Sequence, residues 1–223
     1  MVVLYDAAGR IHRDWINGVP TTFVLDGQGL RFKRSKLDGS LQYTVYGFNR
    51  EPVMVLQLGT DGKLRFDKAM VYGFGQLLSE ESPSGSRYIQ SDQVGSPNLI
   101  TDEGGNVTGR AKNLPFGERF GQSGDKSIRR FTNHEDEDGS AIYMQARTYL
   151  PVFGRFAQVD PLYDQKLYSK DSWNLYGYVA NNPVTHTDPT GEYDAVTSAG
   201  GEESNGNSGR RELCPYFSVS QLQ

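Results

Sequence analysis

Cysteine is nearly absent from this chain of 223 residues, as are long apolar runs and blocks of like charge. The single cysteine, Cys214, excludes an intrachain disulfide framework and a cysteine-based zinc site. The best apolar run, Val53–Leu56, is far too short to span a membrane. Acidic and basic residues are mixed and the net charge is −4, so we expect no nucleic-acid partner.

Aliphatic residues are also scarce. Hydrophobic residues make up 36% of the chain, whereas it contains 26 glycines and 13 tyrosines. This profile favours a β-rich, turn-rich protein with little material for a large independent core. We therefore expect a piece of a larger β structure. The first ten residues lack the charged and apolar regions of a signal peptide, so no export signal is visible.

Cofactor and metal motifs are incomplete. Gly73–Gly75 lacks the Lys-Ser/Thr pair and the following helix of a phosphate-binding loop. Asp136–Gly139 lacks the twelve-residue ligand pattern of a calcium loop. The three histidines, His12, His134 and His186, have no metal-ligand spacing, and we predict surface or packing roles for them. The sequence therefore predicts no cofactor and no metal.

A turn signal recurs through the first two-thirds of the chain. Aspartate and glycine stand together between alternating apolar and polar residues, at Asp6–Gly9, Asp26–Gly29, Asp38–Gly39, Asp61–Gly62 and Asp102–Gly105. This pairing is the strongest local signal for a hairpin. Its spacing, roughly twenty residues where clearest, is typical of tandem supersecondary units. The pattern predicts an all-β fold made of successive hairpins.

The predicted strands cover most of the chain. Hairpins are expected at about 2–14, 20–34, 40–48, 52–58, 63–74 and 76–80. The polar runs 79–86 and 121–127 are predicted as loops. Further strands are expected at 87–90, 98–101, 107–113 and 141–149. Residues 193–223 are rich in Gly, Ser, Asn and Glu, which predicts a disordered tail.

Two Asp-Pro pairs lie in the aromatic, turn-rich stretch that runs from Arg147 to Tyr193. They are Asp160-Pro161 and Asp188-Pro189. Two carboxylates and the guanidinium of Arg147 are the minimum set of groups for aspartic-type hydrolysis, if folding brings them together. The alternative is that both aspartates open turns and accept hydrogen bonds from backbone N–H groups. Spacing alone leaves both interpretations open.

The same stretch resembles a known family. It is similar to the Rhs-repeat-associated core domain in a set of short motifs. They are Ala146–Tyr149, Gly154–Phe156, Asp160-Pro161, Asn174–Tyr178, Asn181–Pro183 and Asp188–Gly191. A weaker similarity to the YD repeats of Rhs proteins covers most of residues 1–145, with its motifs at Tyr88–Pro97, Thr101–Val107 and Pro115–Gly117. The resemblance implies YD-repeat-like hairpins in 1–86, repeat strands leading into the core in 87–145, the core in 146–192 and a variable tail in 193–223.

This resemblance implies a function. Family members build a β-shell around a C-terminal effector segment, and their core spirals inward, plugs one end of the shell and acts as an aspartyl autoprotease. They occur in bacterial polymorphic toxins and in the C components of insecticidal toxin complexes. The partners implied are the protein's own C-terminal segment, upstream shell or toxin-complex subunits, a secretion apparatus and a cognate immunity protein. The implied location is secreted or cell-surface, reached through a specialised bacterial export system.

The family's active-site positions carry over to Arg147, Asp160 and Asp188, with cleavage between Glu192 and Tyr193. The interval between the aspartates is about five residues longer than usual in the family, an excess that falls in 163–172 and that a surface loop tolerates. Glu192 replaces the usual leucine before the cut, and burying its charge unpaired would cost several kcal/mol. Residues 1–145 are also too few for a closed shell.

Two other interpretations remain open. The chain is then a non-catalytic YD-repeat module with a structural or cell-surface interaction role, as in teneurins, or a truncated remnant that folds poorly. The intact mass of the purified chain distinguishes a self-cleaving protein from a non-catalytic module. Circular dichroism with little β signal would indicate the truncated remnant.

Overall fold

The computed structural model describes residues 3–7, 9–16, 19–137, 139–161 and 173–196. The described chain is nearly all antiparallel β structure, which confirms the predicted all-β class. Twelve strands form one sheet in which each strand pairs with its neighbours in sequence. They are β1 (Val3–Tyr5), β2 (Ile11–Ile16), β3 (Val19–Leu25), β4 (Arg31–Lys36), β5 (Leu41–Tyr46), β6 (Pro52–Leu58), β7 (Leu64–Gly73), β8 (Gln76–Ser82), β9 (Gly85–Ser91), β10 (Pro97–Thr101), β11 (Val107–Asn113) and β12 (Arg119–Gly124).

The recurring Asp/Gly signal forms hairpin turns as predicted, but the ranges 40–48, 52–58, 63–74 and 76–80, each predicted as a hairpin, are single strands, β5 to β8, that pair with their neighbours. Between β3 and β4, Asp26 N–H donates to the Leu30 carbonyl at 2.9 Å, and Gly29 N–H donates back to Asp26 at 3.1 Å. The Asp26 carboxylate also accepts the N–H groups of Gln28 and Leu30. Gly29 has a φ of +84°, and the strand register shifts by one residue beside it. The turn is therefore closed by a glycine bulge, and the same backbone bonds recur at Asp6, Asp92 and Asp102.

One predicted loop is wrong. Residues 79–86 belong to a hairpin in which β8 pairs directly with β9, from Ser79 opposite Tyr88 to Ser82 opposite Gly85. Glu80 is buried there, and its carboxylate accepts the hydroxyl of Ser127 and the N–H of Ile128 at 2.9 Å. These partners satisfy the polar group inside the fold, so polarity did not exclude a strand. The predicted loop at 121–127 is likewise partly strand, because β12 extends to Gly124.

A second, smaller sheet carries the chain into the core segment. It contains β13 (Glu135–Glu137), β14 (Ala141–Met144), β15 (Arg147–Leu150) and β16 (Arg155–Phe156), in that order. The strand predicted at 141–149 is thus a tight hairpin, in which Met144 pairs with Arg147 and Gln145 has a φ of +61°. A third, two-stranded sheet pairs β17 (His186–Thr187) with β18 (Ala195–Val196). Short 3₁₀ turns cover Phe131–Asn133, Pro151–Phe153 and Val179–Asn181.

The small sheet lies against the large one around a buried arginine. Arg31 of β4 pairs with Glu137 of β13, and its second amino nitrogen donates to Thr148 of β15 at 3.1 Å. Its guanidinium carbon lies 4.0 Å from the ring centre of Phe23 and 4.1 Å from that of Tyr143. A buried charge is tolerated when it is paired and hydrogen-bonded, so this contact fixes how the two sheets meet.

An aromatic cluster forms the core beneath the small sheet. Phe131, Tyr149, Phe156 and Tyr178 are buried, with ring centres 4.6 to 5.9 Å apart. Offset and edge-on ring contacts at such distances add to the burial of apolar area. The cluster gives the strands around Arg147 a rigid support. Among the described residues, no helix is long and apolar enough to cross a membrane.

Candidate active site

Arg147 stands at the centre of the site. It begins β15, is buried, and its guanidinium carbon lies 3.7 Å from the ring centre of Phe156. Its Nη1 lies 2.9 Å from a carboxylate oxygen of Asp160, and its Nη2 lies 3.3 Å from one of Asp188. Its Nε donates to the carbonyl of Gly191 at 2.5 Å. One planar cation therefore holds both aspartates and the backbone just before the predicted cut.

Asp160 reaches this cation because its segment continues alongside β15. Ala157 N–H donates to the Thr148 carbonyl, and Thr148 N–H donates to the side-chain oxygen of buried Gln158, each at 2.8 Å. Asp160 N–H in turn donates to Leu175 at 2.9 Å. The Asp160 side chain keeps 23% of its surface exposed. This carboxylate therefore contacts both the buried arginine and solvent.

Asp188 has a different environment. It is buried directly after β17, and its Oδ1 faces the backbone N–H groups of Thr190, Gly191, Glu192 and Tyr193 at 2.8 to 3.3 Å. Burial raises the pKa of Asp188 to about 6, against the lowering effect of Arg147 and of the N–H groups of Tyr193, Gly191 and Thr190. The two aspartates thus share one cation but differ in solvent access, the kind of asymmetry that separates an acid from a base.

The loop that follows Asp188 is pinned to the β14–β15 hairpin. Ala146 N–H donates to the Thr190 carbonyl at 3.0 Å. Gly191 has a φ of +73°, and a Cβ added there would lie 2.1 Å from the Met144 carbonyl oxygen. Only glycine fits this approach of two backbones without a shift. The last residue of the Asp-Pro-Thr-Gly motif, Gly191, therefore packs directly against the backbone of the hairpin that carries Arg147.

The predicted scissile bond lies at the edge of this site. Glu192 is half-buried and Tyr193 is exposed, so the charge of Glu192 is not sealed in an apolar wall. Tyr193 N lies 3.2 Å from Asp188 Oδ1. The structure thus brings together Arg147, Asp160, Asp188, Glu192 and Tyr193, while their catalytic roles stay a prediction. The extra residues at 163–172 lie outside the described residues, as do residues 197–223 of the tail that was predicted as disordered from 193 onward. The described start of that tail is not disordered, because Ala195–Val196 form β18 and pair with β17.

Sequence reasoning missed one residue of this region. His134 is buried, and its Nε2 lies 3.2 Å from the Pro189 carbonyl oxygen. Its Nδ1 lies 3.0 Å from the hydroxyl of Thr132. Burial, followed by the charge of Arg129, lowers the pKa of His134 to about 4. No spacing in the sequence signals this contact, because 55 residues separate the two partners. Within the described part of the chain, no group of His, Cys, Asp and Glu is suited to a metal ion.

Comparison with known proteins gives several relatives, although no family model matches the chain. It is 27% identical over 178 residues to the tRNA3(Ser)-specific nuclease WapA of Bacillus spizizenii, which covers 77% of this chain and 7% of WapA. It is 32% identical over 108 residues to the toxin protein Tse5 of Pseudomonas aeruginosa, covering 47% of this chain and 8% of Tse5. It is 32% identical over 111 residues to salivary gland surface protein 1 of Aedes aegypti, covering 48% and 3%. The chain therefore spans less than a tenth of each relative.

Solved structures share the fold. The crystal structure of TcdB2-TccC3 matches with a TM-score of 0.63 and 20% identity, over 85% of this chain and 10% of that one. A Photorhabdus luminescens Tc holotoxin pore matches with a TM-score of 0.61 and 20% identity, over 90% of this chain and 10% of that one. The all-β fold of the chain is thus similar to the fold of these TcdB2-TccC3 and Tc holotoxin structures.

Proposed function

We propose that this chain is the C-terminal portion of an Rhs-type toxin protein and that its core is an aspartyl autoprotease cutting the Glu192–Tyr193 bond. The observation that supports this most is the position of Arg147. Its guanidinium contacts Asp160, Asp188 and the Gly191 carbonyl, so both acids gather at the backbone beside that bond. The enzyme and its substrate share one chain, and a single turnover completes the reaction.

The two acids take different roles in this proposal. Asp160, which is open to solvent, removes a proton from water, and the hydroxide attacks the carbonyl carbon of Glu192. Asp188, which is buried and has a raised pKa, protonates the carbonyl oxygen of Glu192 during this attack. The proton taken up by Asp160 then passes to the nitrogen of Tyr193 as the C–N bond breaks, and Asp188 recovers its proton from the new carboxyl group. The products are a new main-chain carboxylate at Glu192 and a free α-amine at Tyr193. Arg147 stabilises the carboxylates of Asp160 and Asp188 and holds the carbonyl of Gly191.

The proposal also assigns a role to each part of the chain. In this proposal residues 1–86 and 87–145 are repeat strands, 146–192 are the core and 193–223 are the variable segment released by the cut. The partners proposed are that segment, upstream shell or toxin-complex subunits, a secretion apparatus and a cognate immunity protein. A secreted or cell-surface location follows from the same proposal. The likeness to Tse5 and to TcdB2-TccC3 supports a toxin-associated β structure of this type.

The intact mass of the purified 223-residue chain tests the autoprotease. We expect loss of residues 193–223 over time in the wild-type chain and a stable full-length mass for Asp160→Asn. Asparagine keeps the size of the side chain but cannot take a proton from water. A wild-type chain that keeps its full mass at every time and pH would overturn the proposal.

A second candidate is a non-catalytic scaffold or surface-interaction module. It is favoured by the four backbone N–H groups that face Asp188 Oδ1, since capping a turn is sufficient reason for an aspartate there. The same mass measurement separates the two, because a scaffold keeps residues 193–223 under all conditions.

A further inference from the structure

His134 is a buried titratable group that the proposed chemistry does not use. It follows a segment with unusual backbone geometry, since Thr132 and Asn133 have φ values of +49° and +60°. A β-branched residue in the left-handed region is a genuine outlier, and such strain tends to cluster where a side chain must be held in one place. The N–H of Thr132 donates to the hydroxyl of buried Ser96 at 3.1 Å, which stabilises this backbone.

The hydrogen bonds of His134 define its tautomer. A carbonyl oxygen can only accept, so Nε2 carries the proton that binds Pro189 at 3.2 Å. In the neutral ring Nδ1 is then an acceptor, and the Thr132 hydroxyl donates to it at 3.0 Å. In a charged ring Nδ1 would instead donate to that hydroxyl, so it is the burial of His134 that selects the neutral imidazole. Its pKa, lowered to about 4 by burial and by Arg129, agrees with a neutral ring near pH 7.

The carbonyl of Pro189 belongs to the loop that forms the active site. The β14–β15 hairpin holds this loop at two further carbonyls, Thr190 through Ala146 N–H and Gly191 through Arg147. His134 approaches from the other element, the 131–134 segment. It lines with Pro189 a cavity of about 910 Å³, so on that side the loop borders open volume.

We propose that His134 is a positioning residue, whose neutral imidazole holds the Pro189 carbonyl and thereby keeps Asp188 Oδ1 facing Tyr193 N. Loss of the imidazole frees the start of the loop and lets the acid drift from the bond. The catalytic consequence rests on the proposed function, whereas the clamp on Pro189 stands without it.

Substitutions of His134 in the full chain test the clamp. The side-chain nitrogen of His134→Gln reaches the place of Nε2, while that of His134→Asn is too short and His134→Ala has none. In the uncleaved Asp160→Asn background, hydrogen exchange of the amides of residues 190–193 is measured. We expect it to be about tenfold faster in the Asn and Ala variants and near the parent rate in the Gln variant, because one buried hydrogen bond is lost or restored. Exchange in β5–β9 serves as the control and stays unchanged.

The second measurement is the rate of cleavage, followed by intact mass, in chains that keep Asp160. We expect a loss of about tenfold or more in rate for the Asn and Ala variants and recovery with Gln. Unchanged exchange in His134→Ala, or a Gln variant as impaired as Ala, would refute the clamp. If wild-type chain never cleaves, the proposed function fails while the exchange experiment still decides the clamp.

A measurement on the unsubstituted chain covers the case in which the variants do not fold. The ¹⁵N chemical shifts of His134 at pH 7 report which ring nitrogen is protonated. A neutral ring with hydrogen on Nε2 supports the proposal. A neutral ring with hydrogen on Nδ1 cannot donate from Nε2 to Pro189 and overturns the clamp, whereas a charged ring overturns the neutral imidazole that the proposal requires.

Discussion

The Oδ1 atom of Asp188 lies 3.2 Å from the backbone nitrogen of Tyr193. The same oxygen faces the N–H groups of Thr190, Gly191 and Glu192. In the cap this oxygen accepts hydrogen bonds, so the cap by itself explains the position of Asp188, and it also holds the carboxyl beside the bond that the proposal breaks. A side chain placed only for a turn and one placed for catalysis look alike in this geometry, and substitutions must separate them.

Asp188→Asn and Asp188→Ala form a pair that separates the cap from the acid. The asparagine oxygen accepts the same N–H groups, so we expect a folded chain whose cleavage is slower by about 10²–10⁴-fold. Alanine leaves those donors without the side-chain acceptor, and we expect a further loss of about 1–3 kcal/mol in the free energy of unfolding. Intact mass measures the first effect and urea unfolding the second. Wild-type cleavage by the asparagine variant would exclude Asp188 as the acid.

Arg147→Lys tests whether the shape of the cation matters as well as its charge. An ammonium is a point charge and cannot span two carboxylates and a carbonyl as the guanidinium does. We expect slower cleavage with lysine, and a loss of about 3–5 kcal/mol in the free energy of unfolding with Arg147→Met, which leaves buried Asp188 without its cation. Urea unfolding and intact mass are the measurements.

Arg65→Lys is the matched control for that substitution. Arg65 pairs with Asp61 at 2.8 Å on the surface, with much of both side chains exposed. Exposed pairs contribute about 0–1 kcal/mol, so we expect little change in stability and none in cleavage. Equal effects at Arg65 and Arg147 would mean that the buried cation has no special role.

Gly191→Ala tests the close approach of the loop to the hairpin. Both Gly191 and Gly105 have positive φ, at +73° and +79°, but an added Cβ meets the Met144 carbonyl oxygen only at Gly191 and nothing within 4 Å at Gly105. Gly105→Ala therefore carries the backbone strain alone, about 1 kcal/mol. We expect a larger loss of stability and of cleavage at Gly191, measured by urea unfolding and intact mass. Similar losses at the two glycines would argue against a tight seat for the loop.

Local chemistry in the sequence predicted the hairpins. An aspartate such as Asp26 caps its own turn within four residues, and Gly29 supplies the positive φ, so each signal lies inside its element. The prediction of a loop at 79–86 was wrong because the carboxylate of Glu80 accepts hydrogen bonds from Ser127 and Ile128, which are 47 and 48 residues away. A polar strand is indistinguishable from a loop when its partners lie that far along the chain.

The candidate site likewise contains residues that the sequence predicts and a contact that it does not. Arg147, Asp160 and Asp188 could be selected from residue type, spacing and family resemblance, and the structure brings them together. The contact of His134 with Pro189 has no counterpart in the sequence, because it depends on how the 131–134 segment packs across the loop. Spacing thus suggests which groups could act, but the backbone contacts that aim them arise from packing.

The pH dependence of stability gives the last prediction, and its two main groups act in opposite directions. The pKa of His134 is lowered from 6.5 to about 4, so the unfolded chain binds more protons there and stability falls as pH drops from 6.5 towards 4. The pKa of Asp188 is raised from 3.8 to about 6, so the folded chain binds more protons and stability rises as pH drops from 6 towards 3.8. Each shift corresponds to about 3 kcal/mol, and we expect the two to offset each other in the wild-type chain.

Removing one group should expose the other. We expect Asp188→Asn to lose stability steeply between pH 6.5 and 4, because the cost of protonating buried His134 is no longer offset. We expect His134→Gln to become more stable over the same range, because protonation relieves the buried charge of Asp188. Urea unfolding at half-unit pH steps, in the uncleaved Asp160→Asn background, measures both slopes. Parallel curves for the two variants would contradict the opposite shifts and would place the acid sensitivity of the fold elsewhere.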